Sequence, residues 1–422
     1  MKTSRLWWSA LAAAPLAAGC GSPRVEPLEA PQTAAAEQSD PALAVDPESG
    51  DLLLAWLAGD TLRSGIWFSR SRDAGGSWSA PVQVVPPSGD VQPHAEASPK
   101  LVAMPGGVVA IVWATSRAVA GRMWPAADVR VARSLDGGAT WSAALTLNDD
   151  TAAAPIGHTF HGAAWQGDSG LVVAWLDERR TGGPPPPAGH TAHQNGESGD
   201  DNATLYLASS RDRGATWAPA NRRLWGDVCP CCRVSLARGP GGSVQAVWRR
   251  VYPGNVRDVV VAALDQPGPT RVHADGWSLA ACPDTGPGIS IEASGVTHVV
   301  WFTGKEGAAG VYYARRESGS TGFSPPLALV GGRTMATTHA TVAARAAGGA
   351  YIALDITSSG KRVPQLVIVD AERVVHDRVV LSNDAGADHP QVVGVPGGAV
   401  VAWTTTGARP SVRLARVSER AD

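Results

Sequence analysis

Three octapeptides with one shared pattern constrain this chain more than any other feature of its sequence. Each has Ser, Asp, Gly and Trp at positions one, three, five and eight, and they occupy residues 71–78, 134–141 and 210–217. An aspartate carboxylate can accept backbone hydrogen bonds two residues on, and glycine supplies the positive φ of a tight turn. Each copy therefore predicts a turn between two strands, with the tryptophan folded back over it as an apolar plug.

The pattern resembles the Asp-box, also called the bacterial neuraminidase repeat, of sialidase-like β-propellers. In that family the box joins the two outer strands of a blade and lies on the rim, away from the active face. The resemblance therefore implies a structural role, not a catalytic one, for Asp73, Trp78, Asp136, Trp141, Asp212 and Trp217.

A second repeat runs from an apolar strand through a Gly-rich turn to another apolar strand that usually ends in Trp. Its seven copies end at Trp56, Trp113, Trp175, Trp248, Trp301, Leu354 and Trp403, from 49 residues (354 to 403) to 73 residues (175 to 248) apart. This spacing predicts an all-β propeller of four-stranded blades, seven in number, with six as the alternative because sialidases have six. The last copy lacks a fourth strand, which a segment between residues 25 and 40 is expected to supply.

The N-terminus reads as an export signal. Lys2 and Arg5 precede the apolar stretch Leu6–Ala18, which is too short to span a bilayer. The residues before Cys20 resemble a bacterial lipobox, which implies a lipoprotein signal peptide over residues 1–20 and lipidation of Cys20. We expect a flexible tether over 21–39, the propeller over 40–422, and an outer-membrane lipoprotein facing the periplasm or the exterior, bound to the membrane through its lipid alone. With a net charge of −2, nothing points to nucleic acid.

Chemistry-bearing residues recur just before the first strand of each blade, and in a propeller these positions converge on one mouth of the central channel. In chain order they are Asp40, His94, Glu96, His158, His161, Cys229, Cys231, Cys232, Arg233, Cys282, His339, Asp388 and His389. The sequence therefore predicts a ligand or metal site at that mouth.

The four cysteines leave two interpretations open. In an exported protein, Cys282 is expected to form a disulfide with one member of the cluster Cys229, Cys231 and Cys232. Alternatively, the cluster binds copper or another soft metal, with ligands from His94, His158, His161, His339 and His389. The spacing is not that of a zinc finger.

A sialidase binds its substrate carboxylate with an arginine cluster, and it uses a tyrosine nucleophile. The family's Arg-Ile-Pro motif is absent from this sequence, so we expect ligand or metal binding without sialidase chemistry. Arg233, Arg179 and Arg249 are candidates for binding a glycan or small anionic ligand, and Tyr252 and Tyr312 for the tyrosine. The alternatives are an exo-α-sialidase or related glycoside hydrolase, and a structural interaction scaffold. The Pro-rich insertion at 180–202 is either a lid, a cation-binding loop or an irregular excursion.

Overall fold

The computed structural model describes residues 22–60, 62–91, 93–120, 124–150, 155–179, 203–332, 336, 338–358, 360–383 and 386–419. The signal peptide with Cys20 and the insertion at 180–202 lie outside these residues.

The described chain forms seven four-stranded antiparallel sheets, which are the blades of a β-propeller. Blades one to three contain, from the channel outward, β2 (Glu37–Val45), β3 (Leu52–Gly59), β4 (Ser64–Ser71) and β5 (Val82–Ser88); β6 (Lys100–Met104), β7 (Val108–Ala114), β8 (Val129–Ser134) and β9 (Leu145–Thr146); and β10 (His158–Gln166), β11 (Gly170–Asp177), β12 (Thr204–Ser210) and β13 (Arg222–Arg223).

Blades four to six follow the same order. They contain β14 (Ser235–Arg238), β15 (Val244–Tyr252), β16 (Val256–Ala263) and β17 (Thr270–Arg271); β18 (Gly288–Ile291), β19 (Thr297–Thr303), β20 (Ala309–Arg316) and β21 (Leu327–Gly332); and β22 (Ala340–Ala344), β23 (Ala350–Ser358), β24 (Lys361–Val369) and β25 (Val375–Val380).

The seventh blade closes the ring with a strand from the N-terminus. It contains β26 (Gly386–Val395), β27 (Gly398–Thr406), β28 (Val412–Ser418) and, outermost, β1 (Arg24–Leu28), whose Val25 pairs with Val417. The sequence expectation of a closing strand is thus met, although β1 begins one residue before the expected segment. Residues 24–28 were expected to be part of the flexible tether, but they form a strand. The free edge of β28 has unpaired backbone groups, and β1 satisfies them by pairing with it.

Apolar side chains between neighbouring blades form the core. The second strands of the blades are almost wholly buried, and the residue predicted to end each inner hairpin is at most 3% exposed: Trp56, Trp113, Trp175, Trp248, Trp301, Leu354 and Trp403. No blade covers both of its own faces, so each depends on its neighbours for burial. The seven-bladed prediction is confirmed, and the repeat that carried it consists of these core positions.

The three octapeptides fold alike, each at the turn between the third and fourth strands of its blade. In the first, the Ser77 backbone N–H donates to Asp73 Oδ1 (2.8 Å) and the Ser71 hydroxyl accepts from the Gly75 N–H (2.7 Å). The second and third copies repeat these bonds. The carboxylate therefore bonds the backbone four residues on, rather than two as expected. Hydrogen bonds from Ser77 lower the pKa of Asp73 to about 2, so this aspartate is a structural acceptor.

Helical structure in the described residues consists of two 3-10 turns, Ala95–Ala97 and Pro240–Gly242. Among the same residues, no helix has the length and apolar character needed to cross a membrane.

Candidate functional site

Strained backbone marks the channel end at which the innermost strands begin. Asp40, Phe160, Asp284 and His389 have φ between 47° and 53°, a left-handed conformation that residues other than glycine adopt at a cost. Three of them lie in β-bulges of the first strands, where the pairing register shifts between residues 39 and 42, 159 and 162, and 388 and 391. These bulges turn side chains from the strand ends toward the channel mouth.

Glu96 joins three blades at the centre of this mouth. It lies in the 3-10 turn before β6, is 1% exposed, and pairs with the Arg233 guanidinium from blade four. Its Oε2 accepts from the backbone N–H groups of Arg233 (3.1 Å) and Gly286 (2.7 Å). Burial alone would raise the pKa of Glu96, but the charges of Arg233, His389 and His339 outweigh burial and lower it to about 2.

Two stacked imidazoles from blades six and seven lie beside Glu96. The ring centroids of His339 and His389 are 3.4 Å apart, and His389 Nε2 is 3.6 Å from Glu96 Oε1. His339 Nδ1 is 2.9 Å from Asp355 Oδ2, and His389 Nδ1 is 2.9 Å from Asp388 Oδ1. Both ring nitrogens of His389 are buried without a hydrogen bond of good geometry, and each faces a carboxylate, Nδ1 that of Asp388 and Nε2 that of Glu96.

The donor atoms of His339, Asp355, Asp388 and His389 lie within 4.8 Å of one another, a spacing suited to a metal ion. Arg362 Nη1, however, lies among them, 2.6 Å from Asp388 Oδ1, 2.9 Å from Asp355 Oδ2 and 3.0 Å from His339 Nδ1. The Arg362 guanidinium thus supplies, among these four residues, the positive charge that a metal ion would bring. The expected metal role of these histidines stays a prediction.

A cleft of about 220 Å³ opens beside this cluster, between blades one, two and seven. Its wall includes Asp40, His94, Asp388, Ser39 and Thr404. Asp40 Oδ2 accepts from the His94 backbone N–H (3.0 Å), and the Asp40 N–H donates to Thr404 Oγ1 (2.9 Å).

Three carboxyl groups line the cleft, those of Glu37, Asp40 and Asp388, and the last two have opposite electrostatic environments. Burial raises the pKa of Asp40, and the charges of His389 and His94 offset only part of that effect. Burial also opposes ionisation of Asp388, but its contacts with His389, His339 and Arg362 outweigh burial and hold its pKa well below the usual range. The lining of the cleft therefore combines one carboxyl whose pKa is raised with another whose pKa is lowered.

Lys100 adds a basic group to the channel next to this site. Its Nζ donates to Ser98 O (2.6 Å) and Ser98 Oγ (2.9 Å). Burial and the charge of Arg233 lower the pKa of Lys100 to about 7, against weaker opposing effects of Glu96 and Asp40.

The three candidate arginines do not form a carboxylate-binding cluster. Arg233 is committed to Glu96 and to Ala340 O (2.8 Å). Arg249, fully buried, donates to the carbonyls of Arg257, Thr285 and Phe302. Arg179 pairs with Asp177 and Asp149 at 2.6–3.0 Å. All three guanidiniums are thus bound by the protein itself.

The two candidate tyrosines are also placed outside the Glu96 cluster. The Tyr312 hydroxyl donates to Ala308 O (2.9 Å), and the Tyr252 ring packs against Arg250 and Arg271, the latter on the outermost strand of blade four.

The expected histidines divide between the mouth and the blade interfaces. His94, His339 and His389 lie at the mouth, whereas His158 bonds Ala127 O (2.7 Å) and lies 3.0 Å from Asp150. His161 bonds Val112 O (3.1 Å) of blade two, and burial together with the charge of Lys100 lowers its pKa to about 3. His158 and His161 therefore serve as contacts between blades, since β10 begins at His158 and turns both rings toward blade two.

The cysteines form one disulfide and one thiol pair. Cys231 is bonded to Cys282, with Cα atoms 6.1 Å apart, as the disulfide interpretation predicted for neighbouring blades. Cys229 and Cys232 are free and buried, with sulfur atoms 3.3 Å apart. A soft-metal site on all the cluster sulfurs is not formed, because Cys231 is committed to the disulfide.

Sequence reasoning missed four residues of the site: Asp355, Arg362, Lys100 and Arg257. The sequence prediction rested on the loops before first strands and, for arginines, on the ends of second strands. Asp355 directly follows the core residue Leu354, and Arg362 is the second residue of the next strand, β24. Because adjacent strands are antiparallel, these positions lie at the same end of the blade as the start of its first strand. The acidic and basic residues in the hairpin between β23 and β24 could have indicated that Asp355 and Arg362 lie at the channel mouth.

No family model matches the chain, and no curated protein matches it. Solved structures of similar shape include an ulvan lyase from a new polysaccharide lyase family, with a TM-score of 0.56 and 13% identity, covering 91% of this chain and 95% of its own. A Hadza microbial sialidase gives a TM-score of 0.51 and 16% identity, covering 81% and 67%. A Dyadobacter fermentans protein of unknown function gives 0.50 and 14%, covering 91% and 95%. At these identities the likeness shows the fold alone, which is that of a sialidase-like propeller.

Proposed function

We propose that the channel mouth is a glycan-binding acid–base site, and that it recognises its saccharide through hydroxyl groups rather than through a carboxylate. The observation that carries this proposal is the cleft itself, whose lining includes both Asp40 and Asp388. The buried Asp40 carboxyl accepts from the His94 backbone N–H, and the Asp388 carboxylate is held by Arg362 and His389.

This pairing suits the cleavage of a glycosidic bond. Such cleavage needs a protonated carboxyl that donates to the leaving oxygen and a second, ionised carboxylate that acts as base or nucleophile. Asp40, whose pKa burial raises, fits the acid role. Asp388 fits the ionised role, because Arg362 and the two histidines favour its charge.

The choice of substrate class rests on the arginines. A substrate carboxylate is bound best by free, forked guanidiniums. Arg179, Arg233 and Arg249 are each satisfied within the protein, so these three guanidiniums do not form such a cluster. The ulvan lyase and the sialidase of similar fold act on glycans, which supports a saccharide ligand without fixing which one.

The N-terminal pattern extends this proposal to the cell envelope. With lipidation at Cys20, the propeller would be held at a membrane surface, where polysaccharides outside the cytoplasm are accessible.

The test is release of reducing ends from neutral polysaccharides (xylan, galactan and glucan) and from matching aryl glycosides, with a fluorogenic sialoside as the acidic comparison. We expect cleavage of a neutral substrate, with kcat lowered about 100-fold or more in Asp40→Asn. Asp168→Asn is the matched control, because Asp168 is exposed at the turn between β10 and β11, at the opposite end of its blade. Cleavage of the sialoside alone, equal losses in the two variants, or no cleavage in the whole panel would each reject the proposal.

A further inference from the structure

Four sulfur atoms lie together between blades four and five, outside the acid–base cleft. Cys229 Sγ is 3.3 Å from Cys232 Sγ and 3.9 Å from Cys231 Sγ, and Cys231 is bonded to Cys282. A free thiol thus lies against another thiol on one side and against a disulfide on the other.

The surroundings favour Cys229 as the attacking sulfur. Arg257 Nη1 lies 3.0 Å from Cys229 Sγ, and the guanidinium of Arg249 is buried nearby. Burial disfavours the thiolate, but the Cys232 thiol and these two arginines together bring the pKa of Cys229 below its usual range. Burial and the neighbouring Cys229 raise the pKa of Cys232.

We infer that this cluster is a thiol–disulfide exchange centre, in which Cys229 is the nucleophile and one disulfide moves between Cys231–Cys282 and Cys229–Cys232. Exchange proceeds by attack of a thiolate on a disulfide sulfur, which is the arrangement that the three neighbouring sulfurs present.

The exchange balances within the protein. Cys229 thiolate attacks Cys231 Sγ, the Cys231–Cys282 bond breaks, and its electron pair leaves with Cys282 Sγ, which takes up the proton released from Cys229. Cys232 then loses its proton and attacks Cys229 Sγ, and the Cys229–Cys231 bond breaks with its electron pair on Cys231, which is protonated. One disulfide and two thiols remain, so no external oxidant is needed.

The exchange changes which of the four cysteines are free thiols, and therefore how accessible the free thiols are to solvent. Cys229 and Cys232 are fully buried, whereas Cys282 is half-buried. Exchange therefore brings a reactive thiol to the surface, where an external disulfide or thiol compound can react with it. Cys232 directly precedes Arg233, whose side chain and N–H hold Glu96, so the exchange also bears on the acid–base site.

The experiment labels the native purified protein with N-ethylmaleimide at pH 8, then denatures it in acid and maps labels and disulfides by mass spectrometry. In the wild type we expect Cys231 and Cys282 to gain label as a Cys229–Cys232 disulfide accumulates. In Cys229→Ser, we expect Cys282 to remain unlabelled and bonded to Cys231. In Cys232→Ser, we expect the first step to be trapped, as a Cys229–Cys231 disulfide with labelled Cys282.

Three results would overturn the inference. The first is a wild type in which Cys282 never gains label. The second is equal labelling of Cys282 in wild type and Cys229→Ser. The third is a purified protein that already holds both disulfides, because it has no attacking thiol. Should Cys229→Ser fail to fold, Cys232→Ser decides the question: absence of both the Cys229–Cys231 bond and the Cys282 label rejects the exchange.

Discussion

Two of the ion pairs at the channel mouth join residues of different blades. Glu96 of blade two is held by Arg233 of blade four, and Asp388 of blade seven by Arg362 of blade six. Removing one partner of a buried pair leaves an uncompensated charge, which costs far more than loss of an exposed pair. Glu96 and Arg233, the buried pair, therefore both shape the site and join blades that are not neighbours in the ring.

The low pKa of Glu96 predicts that the folded protein becomes less stable in acid. Its folded pKa of about 2 lies below the value of about 4.3 in an unfolded chain, so its stabilisation is complete above that value and is lost as pH falls toward 2. Between pH 7 and pH 2.5 we expect Glu96→Gln to lose about 2 kcal/mol less unfolding free energy than the wild type, measured by urea unfolding.

Glu306→Gln is the control for this measurement, since Glu306 is exposed in the loop between β19 and β20. It should follow the wild-type pH profile. Identical profiles for wild type and Glu96→Gln would mean that the Glu96 carboxylate is not stabilised in the folded protein.

At the scale of elements, the octapeptide turns seal the rim of the blades by a fixed set of bonds and by close packing against the preceding blade. Gly138, in the second copy, has φ +96° and lies against the Phe68 ring of blade one. Trp141 of the same turn packs edge-on to Phe68, with ring centroids 5.3 Å apart. The glycine is therefore needed both for the turn and for the contact between blades.

Gly138→Ala is expected to lower the unfolding free energy by about 2–4 kcal/mol, because the added Cβ meets the Phe68 ring and the backbone is left-handed. Gly50→Ala isolates the backbone cost, since Gly50 has φ +74° and no atom within 4 Å of the added Cβ. We expect that control to lose only about 1 kcal/mol in the same unfolding experiment. Equal losses would show that the contact with Phe68 does not matter.

For the whole molecule, stability depends on closing the ring. The outermost strand of blade seven comes from the N-terminus, so residues at the two ends of the described chain share one sheet. Val25 packs with the apolar cluster between blades six and seven, and Leu28 with that between blades seven and one. Loss of β1 would leave the edge of β28 unpaired and open both clusters to water.

A chain that begins at residue 31 is therefore expected to melt at least about 5 °C below one that begins at residue 22, because the ring loses its closing strand. Scanning calorimetry measures the difference, and the chain from residue 22 is the control because it retains all of β1. Equal melting temperatures would show that the strand is dispensable.

Much of the fold followed from local patterns. Trp56 and its counterparts recur because the same apolar hairpin must be buried in every blade, and the three octapeptides recur because their turn needs Ser, Asp and Gly at fixed positions. Such requirements involve only a few neighbouring residues, so they produce repeats that are visible in the sequence. They predicted the number of blades, and the missing fourth strand of the last blade predicted closure from the N-terminus.

The candidate site was only partly predictable, because its contacts join residues far apart in sequence. The position of Glu96 before a first strand indicated that it would reach the mouth, but nothing local indicated that Arg233, 137 residues later, would be its partner. Arg233 and Arg249 carried the same sequence expectation as free ligand-binding groups, and both turned out to be satisfied by buried acceptors.

The sequence by itself determined the repeated hairpin, the number of blades and the end of the ring at which reactive residues gather, since these depend on period, turn chemistry and apolar burial. Only the tertiary structure decided which of those residues meet. Three features arise from side chains that the folded blades bring together: the pairing of Cys231 with Cys282, the contacts of Arg362 with three of the four donor residues, and the opposite environments of Asp40 and Asp388. Ion pairs are strong, and disulfides can form, only between groups that lie within a few ångströms of each other. Such contacts therefore depend on the distance between groups in the folded protein and not on their order along the chain.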